Sequence, residues 1–183
     1  MIGPISLLPL SVELHSTALQ AVYAATPGYW RKYNLPSSPA DQAERDLRAG
    51  AETAGRYMLG IVRRLVTDDA SAGAELIGVV DFRLHWPEPD LVYLGMLMVA
   101  EPYQRQGVAS QAWRLLEPWL AETAHVQKAR LGVEQFNPHA LQFFQHLGFA
   151  LTGDADRIKV GDKFVRLLYM EKALPRKANR ESI

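Results

Sequence analysis

Leu97-Met98-Val99-Ala100-Glu101-Pro102-Tyr103-Gln104-Arg105-Gln106-Gly107-Val108-Ala109 joins two segments of different hydrophobic period. On its N-terminal side, Leu91 to Val99 is an apolar run of strand length. On its C-terminal side, Val108, Ala112, Leu115, Leu116, Trp119 and Leu120 form one apolar stripe between Gly107 and Ala124, so a buried strand passes through a tight turn straight into a helix. Pro118 lies inside that stripe and predicts a kink or an earlier helix end. The first turn of any helix leaves backbone N–H groups without intrahelical partners, at the end where the dipole is positive. Gly107 permits an unusual backbone angle or a close ligand approach there, and Ala109 adds no bulk, so the turn suits a phosphate, with Arg105 at its rim. A plain strand-to-helix turn that needs glycine for its geometry accounts for the same residues.

The flanking chain has alternating strand and helix signals. Tyr57–Val66 and Leu76–Leu84 are β-branched, apolar runs separated by the turn-rich stretch 67–73, which predicts an antiparallel hairpin. Ala129–Val133 is a short strand, followed by a helix with Asn137 as cap, Pro138 as its first residue and Gly148 as its stop. Phe149–Thr152 and Phe164–Met170 read as a closing strand pair joined by a polar segment, Gly153–Asp162. Toward the N-terminus, Ile5–Leu10 reads as an edge strand because Pro9 cannot donate to a ladder. Ser11 caps a helix that Pro27-Gly28 ends; Tyr29–Pro36 is an aromatic, basic loop lying partly on the core and partly over a cleft; Ser38-Pro39 with Asp41 opens a second helix that stops near Gly50. Strand, two helices, three strands, helix, strand, helix and two strands make an α/β (α+β) mixed sheet.

Composition narrows the function. The chain of 183 residues fits one domain, by a prior of roughly 150 residues each. Twenty basic and twenty acidic residues leave a formal net charge of zero, without the basicity that phosphate-backbone binding relies on, so nucleic acid is not an expected partner. The absence of Cys excludes disulfides, thiolate metal sites and Cys nucleophiles, and suits a reducing cytoplasm, the expected location. No apolar run reaches membrane-spanning length and Met1–Ile5 has no basic signal-peptide region, so no membrane is expected. The five His residues show no ligand spacing, and no metal site is expected.

Gln104-x-x-Gly107-x-Ala109, five residues after Val99 and opening an amphipathic helix, resembles the acyl-CoA signature Q/R-x-x-G-x-G/A of the GNAT family of N-acetyltransferases. Asn137-Pro138-His139-Ala140, followed by Phe143-Phe144-Gln145-His146-Leu147-Gly148-Phe149, resembles that family's second segment, a helix beside the pantetheine arm. The resemblance spans 57–174 in element order and is specific between Leu94 and Phe149. It implies a GNAT-like mixed, mostly antiparallel central sheet flanked by helices. It also implies one acyl-CoA N-acyltransferase domain over 1–183, with variable substrate-facing helices at 11–50, an acyl-CoA core at 57–174 and a tail at 175–183. Acetyl-CoA is the implied co-substrate, an amine-bearing acceptor the implied partner, and a homodimer is left open. Carried over residue by residue, the resemblance assigns the backbone of Gln104, Arg105, Gln106, Gly107, Val108, Ala109 and Ser110 to the CoA pyrophosphate. Met98 and Val99 would meet the pantetheine through the main chain, and a strand N–H near Met98 would polarise the thioester carbonyl. Asn137 would bond the pantetheine arm, although N-capping alone also explains an Asn there.

The family's pattern is broken at one position. Where many members carry a tyrosine that protonates the leaving thiolate, four residues before the Gly of Gly-Phe, this chain has Phe144, which the resemblance would set at the cofactor cleft. CoA then leaves as the thiolate, or Tyr169, Tyr103 or water supplies the proton. The attacking amine must first lose a proton, and Glu134 is the leading candidate base, ahead of Asp81, His85 and Glu101. Two other readings stay open: a non-catalytic acyl-CoA-binding module, which Phe144 favours, and an interaction domain in which Trp30, Trp86 and Trp119 mark a partner surface.

Overall fold

The computed structural model describes residues 3–65 and 73–174. In chain order the elements are β1 (Ile5–Pro9), α1 (Val12–Ala24), α2 (Pro27–Lys32), α3 (Gln42–Glu52), β2 (Arg56–Arg64), β3 (Ala74–Leu84) and β4 (Leu91–Val99). A single 3₁₀ turn at Glu101–Tyr103 leads to α4 (Val108–Glu122), β5 (Lys128–Glu134), α5 (Pro138–His146), β6 (Ala150–Val160) and β7 (Lys163–Ala173). The seven strands form one sheet in the order β1-β2-β3-β4-β5-β7-β6, antiparallel throughout except between β4 and β5. This is the mixed, mostly antiparallel sheet expected from the sequence. The tail at 175–183 and most of the β2–β3 connection lie outside the described residues, and Leu65 N–H donates to Gly73 O at 2.8 Å where that connection closes.

The parallel pairing is short. β4 and β5 are in register only from Leu91↔Lys128 to Leu94↔Leu131. Immediately beyond, the β3–β4 register slips, with Phe82 opposite Leu94 but Asp81 opposite Met96, so Gly95 is the extra residue of a β-bulge. A bulge bends its strand and sharpens the local twist. From there β4 stays zipped to β3 as far as Gly78↔Val99, while β5 stays zipped to β7 as far as Glu134↔Leu167. The two halves of the sheet therefore part at Gly95. Gly78 keeps the β3 side close, because a Cβ there would lie 2.5 Å from Met98 O.

Each face of the sheet buries its own core. One holds Val108, Ala112, Trp113, Leu116 and Leu120 of α4 against Ile61, Phe82, Leu94 and Leu131. The other packs Leu19, Val22 and Tyr23 of α1, Trp30 of α2 and Leu47 of α3 against Met58, Val79 and Met98. Pro118 does not end α4, which runs on to Glu122. Losing one interior helix bond costs about 3 kcal/mol, and burial of Leu116 and Leu120 at about 1.5–3 kcal/mol each offsets it. No described helix is long and apolar enough to cross a membrane.

Three expectations about the elements are corrected. Tyr29–Pro36 is not all loop, because Pro27–Lys32 is a helix with Thr26 at its N-cap position and Pro27 first. Gly50 does not stop α3 but lies within it, buried beside Met58, whose Sδ a Cβ there would meet at an ordinary contact distance of 3.5 Å. Gly153–Asp162 is strand as far as Val160, in a hairpin whose two-residue turn is Gly161-Asp162. Its polar character reflects a hairpin arm whose β6 strand is largely exposed.

Candidate active site

The splay opens a cleft of about 810 Å³ between the C-terminal halves of β4 and β5, floored by the start of α4 and flanked by α2 and α5. Met98, Val99, Gln104, Arg105, Gly107, Val108, Ala109, Ser110, Glu134, Asn137 and Phe144 all line it. Gln106 does not: its side chain turns back to donate to Pro102 O at 3.0 Å.

The turn entering α4 is braced from beneath. Gln104 Nε2 donates to Val99 O at 2.7 Å, tying the turn to the end of β4. Arg105 and Gly107 both adopt positive φ, +61° and +80°, which folds the backbone into a concave turn. Gln111 N–H is the first to reach back, to Gly107 O at 2.9 Å, and no side chain caps the helix. The N–H groups of Val108, Ala109 and Ser110 are consequently left to an external acceptor. A Cβ at Gly107 would meet nothing within 4 Å, so the space above the turn is open.

Strand alternation decides which β4 groups face the cleft. Ala100 N–H donates to Ile77 O at 2.8 Å and Met98 stands opposite Val79, so by antiparallel alternation Met98 N–H points to β3. The N–H groups of Leu97 and Val99, one residue to either side, point instead into the splay. Met98 reaches the cleft with its side chain, whose Sδ lies 3.2 Å from the buried Thr26 hydroxyl. The main-chain N–H groups facing the splay are thus those on either side of Met98 and not its own.

Helix α2 spans the mouth of the cleft. Gly28 N–H donates to Glu101 Oε1 at 2.7 Å, just beyond the end of β4. At the other end, the Tyr33 hydroxyl donates to the Glu134 carboxylate and Lys32 Nζ donates to Asn137 Oδ1 at 3.0 Å. Burial raises the Tyr33 phenol well above its ordinary range, and Tyr29 and the Glu134 carboxylate push it in the same direction. Tyr29 is raised as well, mainly by burial. Both phenols keep their protons at neutral pH, so Tyr33 remains a donor to Glu134. Just beyond α2, Gly161 of the β6–β7 turn packs against Asn34, where a Cβ would lie 2.6 Å from Asn34 Nδ2. The stretch Tyr29–Pro36 is expected from sequence to lie partly over a cleft, and Tyr29, Lys32 and Tyr33 do line it, whereas Leu97 carries no separate signal. The Thr-Pro pair at 26–27, a cap followed by proline as at Asn137-Pro138, is the signal for the helix that carries Tyr29 and Lys32 and has Tyr33 at its C-cap.

The secondary candidates divide. Asp81 is buried under a two-point ion pair with Arg56, at 3.0 and 2.6 Å, and is not in the cleft. His85 belongs to the β3–β4 connection, bonded to Pro89 O, and is also outside it. Glu101 lines the cleft but is engaged by Gly28. Tyr169 does not line it; its hydroxyl donates to Asp156 at 2.6 Å, which with partial burial pushes the phenol up to about 12. Tyr103 lines the cleft, but its hydroxyl donates to Glu75 at 2.7 Å. Trp30 is only 6% exposed, so the three tryptophans do not form one surface.

Asn137 stands at the N-cap of α5 without a side-chain cap bond. Its carboxamide faces Lys32 instead. Capping therefore does not account for the side chain, and Asn137→Asp is expected to keep the melting temperature while raising the KM for acetyl-CoA through loss of the amide donor. Unaltered steady-state kinetics in the Asp variant would remove Asn137 from the binding surface.

Phe144 serves two surfaces. Gly148 N–H donates to Gln145 O at 2.9 Å and Phe149 N–H to Phe144 O at 3.0 Å, the paired bonds of a Schellman stop, with Gly148 at φ +91°. The Phe144 and Phe149 rings meet edge to face, with centroids 5.6 Å apart, yet Phe144 is only partly buried and also lines the cleft. Phe144→Tyr is expected to fold as stably as the parent and to turn over equally fast or faster. A loss of about 1–3 kcal/mol with no gain in turnover would place the new hydroxyl in apolar surroundings.

A family model, the acetyltransferase (GNAT) family, matches residues 20–149. No curated protein matches the chain in sequence. Among solved structures, an acetyltransferase from Thermus thermophilus superposes with a TM-score of 0.71 at 23% identity, covering 94% of this chain and 99% of the other. The protein smu.2055 from Streptococcus mutans gives 0.67 at 18% identity, covering 93% and 99%. A spermidine N-acetyltransferase from Vibrio cholerae, in complex with CoA and spermine, gives 0.67 at 15% identity, covering 93% and 95%. With a family match across most of its length, and with a sheet that parts just ahead of the motif turn, the chain belongs to the GNAT family of acetyltransferases.

Proposed function

We propose that the chain transfers the acetyl group of acetyl-CoA to a primary amine by direct attack on the thioester. The observation that carries this reading is the cleft itself, which joins the unpaired N–H groups at the start of α4 to a carboxylate, Glu134, at the end of β5. The N–H groups of Val108, Ala109 and Ser110 suit a pyrophosphate, and the edge of β4 left bare by the splay suits the amides of a pantetheine arm. Bound acetyl-CoA supplies an acyl carbon activated as a thioester. In this reading Leu97 or Val99 N–H donates to the acyl oxygen as negative charge develops on it. One Glu134 oxygen accepts from Tyr33, and the carboxylate can still take the proton that the ammonium form of the acceptor must lose. Phe144 has no proton to give, so the thiol leaves as its thiolate or takes a proton from water.

A cleft lined by the Glu134 carboxylate, Tyr29 and Tyr33 suits a cationic alkylamine, since aromatic faces and carboxylates both favour an ammonium group. The spermine bound by the Vibrio cholerae relative makes polyamines the first acceptors to try. Release of free thiol from acetyl-CoA, measured across a panel of amines, tests the reading: amine-dependent release supports it. Tight acetyl-CoA binding without release would favour the non-catalytic acyl-CoA-binding module to which Phe144 lends weight.

A further inference from the structure

We propose that Lys32 is itself an acyl acceptor, so that the protein acetylates its own α2 helix; the inference rests on the acyl-CoA reading of the cleft. Lys32 is the one lysine lining the cleft among the described residues. Its Nζ lies 3.0 Å from Oδ1 of Asn137, the residue set beside the expected path of the pantetheine arm, and it is next in sequence to Tyr33, which holds the Glu134 carboxylate. A primary amine thus stands at the mouth of a cleft suited to presenting a thioester to primary amines. Tethering replaces a bimolecular encounter by an intramolecular one, and this favours attack wherever the geometry allows contact.

The partner of Lys32 also matters. Among the described lysines, Lys128 and Lys172 are ion-paired, to Glu88 at 3.8 Å and Glu117 at 2.5 Å. Lys32 has the neutral Asn137 carboxamide as its hydrogen-bond partner, so losing a proton breaks no ion pair. In the step, the neutral Lys32 amine attacks the thioester carbonyl, the N–C bond forms and the C–S bond breaks. The electron pair of that bond leaves with the CoA sulfur. The surplus proton on nitrogen passes to the Glu134 carboxylate or to water, and the products are acetyl-lysine and free CoA. The resulting amide N–H can still donate to Asn137, but the positive charge beside the cleft is gone.

The test uses the intact protein with acetyl-CoA and no added amine, with acetyl occupancy of each lysine read by peptide mass mapping and acetyl-CoA binding measured separately by calorimetry. Lys159 and Lys163, exposed on the β6–β7 arm, report uncatalysed acetylation. The expected result is tenfold or greater enrichment of acetyl on Lys32 over these two, abolished by excess CoA as a competitor. Acetyl-CoA binding with Lys32 labelled no more than Lys159 and Lys163, or Lys32 labelling that CoA does not suppress, would overturn self-acetylation and leave the cofactor site standing. Absence of acetyl-CoA binding would overturn the cofactor site, and the self-acetylation proposal with it.

Discussion

Glu134→Gln is expected to lower the turnover number for amine acetylation by about 10²-fold or more, because a positioned general base contributes about 10²–10⁴-fold. The substitution is nearly isosteric and the Gln carbonyl can still accept from the Tyr33 hydroxyl, so α2 should keep its place across the cleft. Acetyl-CoA affinity should hold, since Glu134 stands at the end of β5, across the cleft from the turn that opens α4. A kcat decrease with unchanged acetyl-CoA binding is thus the signature of a base. Turnover retained in a folded Gln variant would remove Glu134 from that role and shift attention to Glu101, which lines the same cleft.

Gly107→Glu should weaken acetyl-CoA binding by more than tenfold, or about 1.4 kcal/mol. The new carboxylate would stand where the free N–H groups of α4 and the helix dipole favour an anion, in space that is now open. The backbone at φ +80° also disfavours a side chain, by roughly 1–2 kcal/mol. Gly107→Asn separates the two effects, because Asn tolerates this conformation and adds no charge. Calorimetry should show the Asn variant retaining most of the affinity that the Glu variant loses. Equal binding by a folded Glu variant and the parent would place the pyrophosphate elsewhere.

Several features were legible in the sequence because they depend on neighbours along the chain. The strand–turn–helix at Leu91–Ala124, the Asn137-Pro138 start and the Gly148 stop are governed by backbone sterics and by hydrogen bonds spanning a few residues, and their signals are local. The apolar runs likewise marked the strands, apart from the polar, exposed length of β6, and the element order determined the fold class. The motif turn was readable for the same reason, as glycine at positive φ and an unpaired helix start are properties of the chain segment itself.

What tertiary structure decided are the encounters between distant segments. Glu134 was singled out for its position at a strand end, but its Tyr33 partner comes from the C-cap of α2, 101 positions earlier in the chain. Asp81 carries the same chemistry in sequence, and only the fold pairs it with Arg56 and removes it from the cleft. Asn137 reads as a helix cap until Lys32, arriving from α2, accounts for its carboxamide. The shift of the cleft-facing strand donors from Met98 to its neighbours depends on the pairing of β4 with β3, and the cleft itself on the bulge at Gly95 that parts β4 from β5. Sequence periodicity specifies which face of an element is apolar, because that follows from the repeat of the backbone. It carries no record of which distant side chain will meet a polar group, because that depends on how all the elements pack at once.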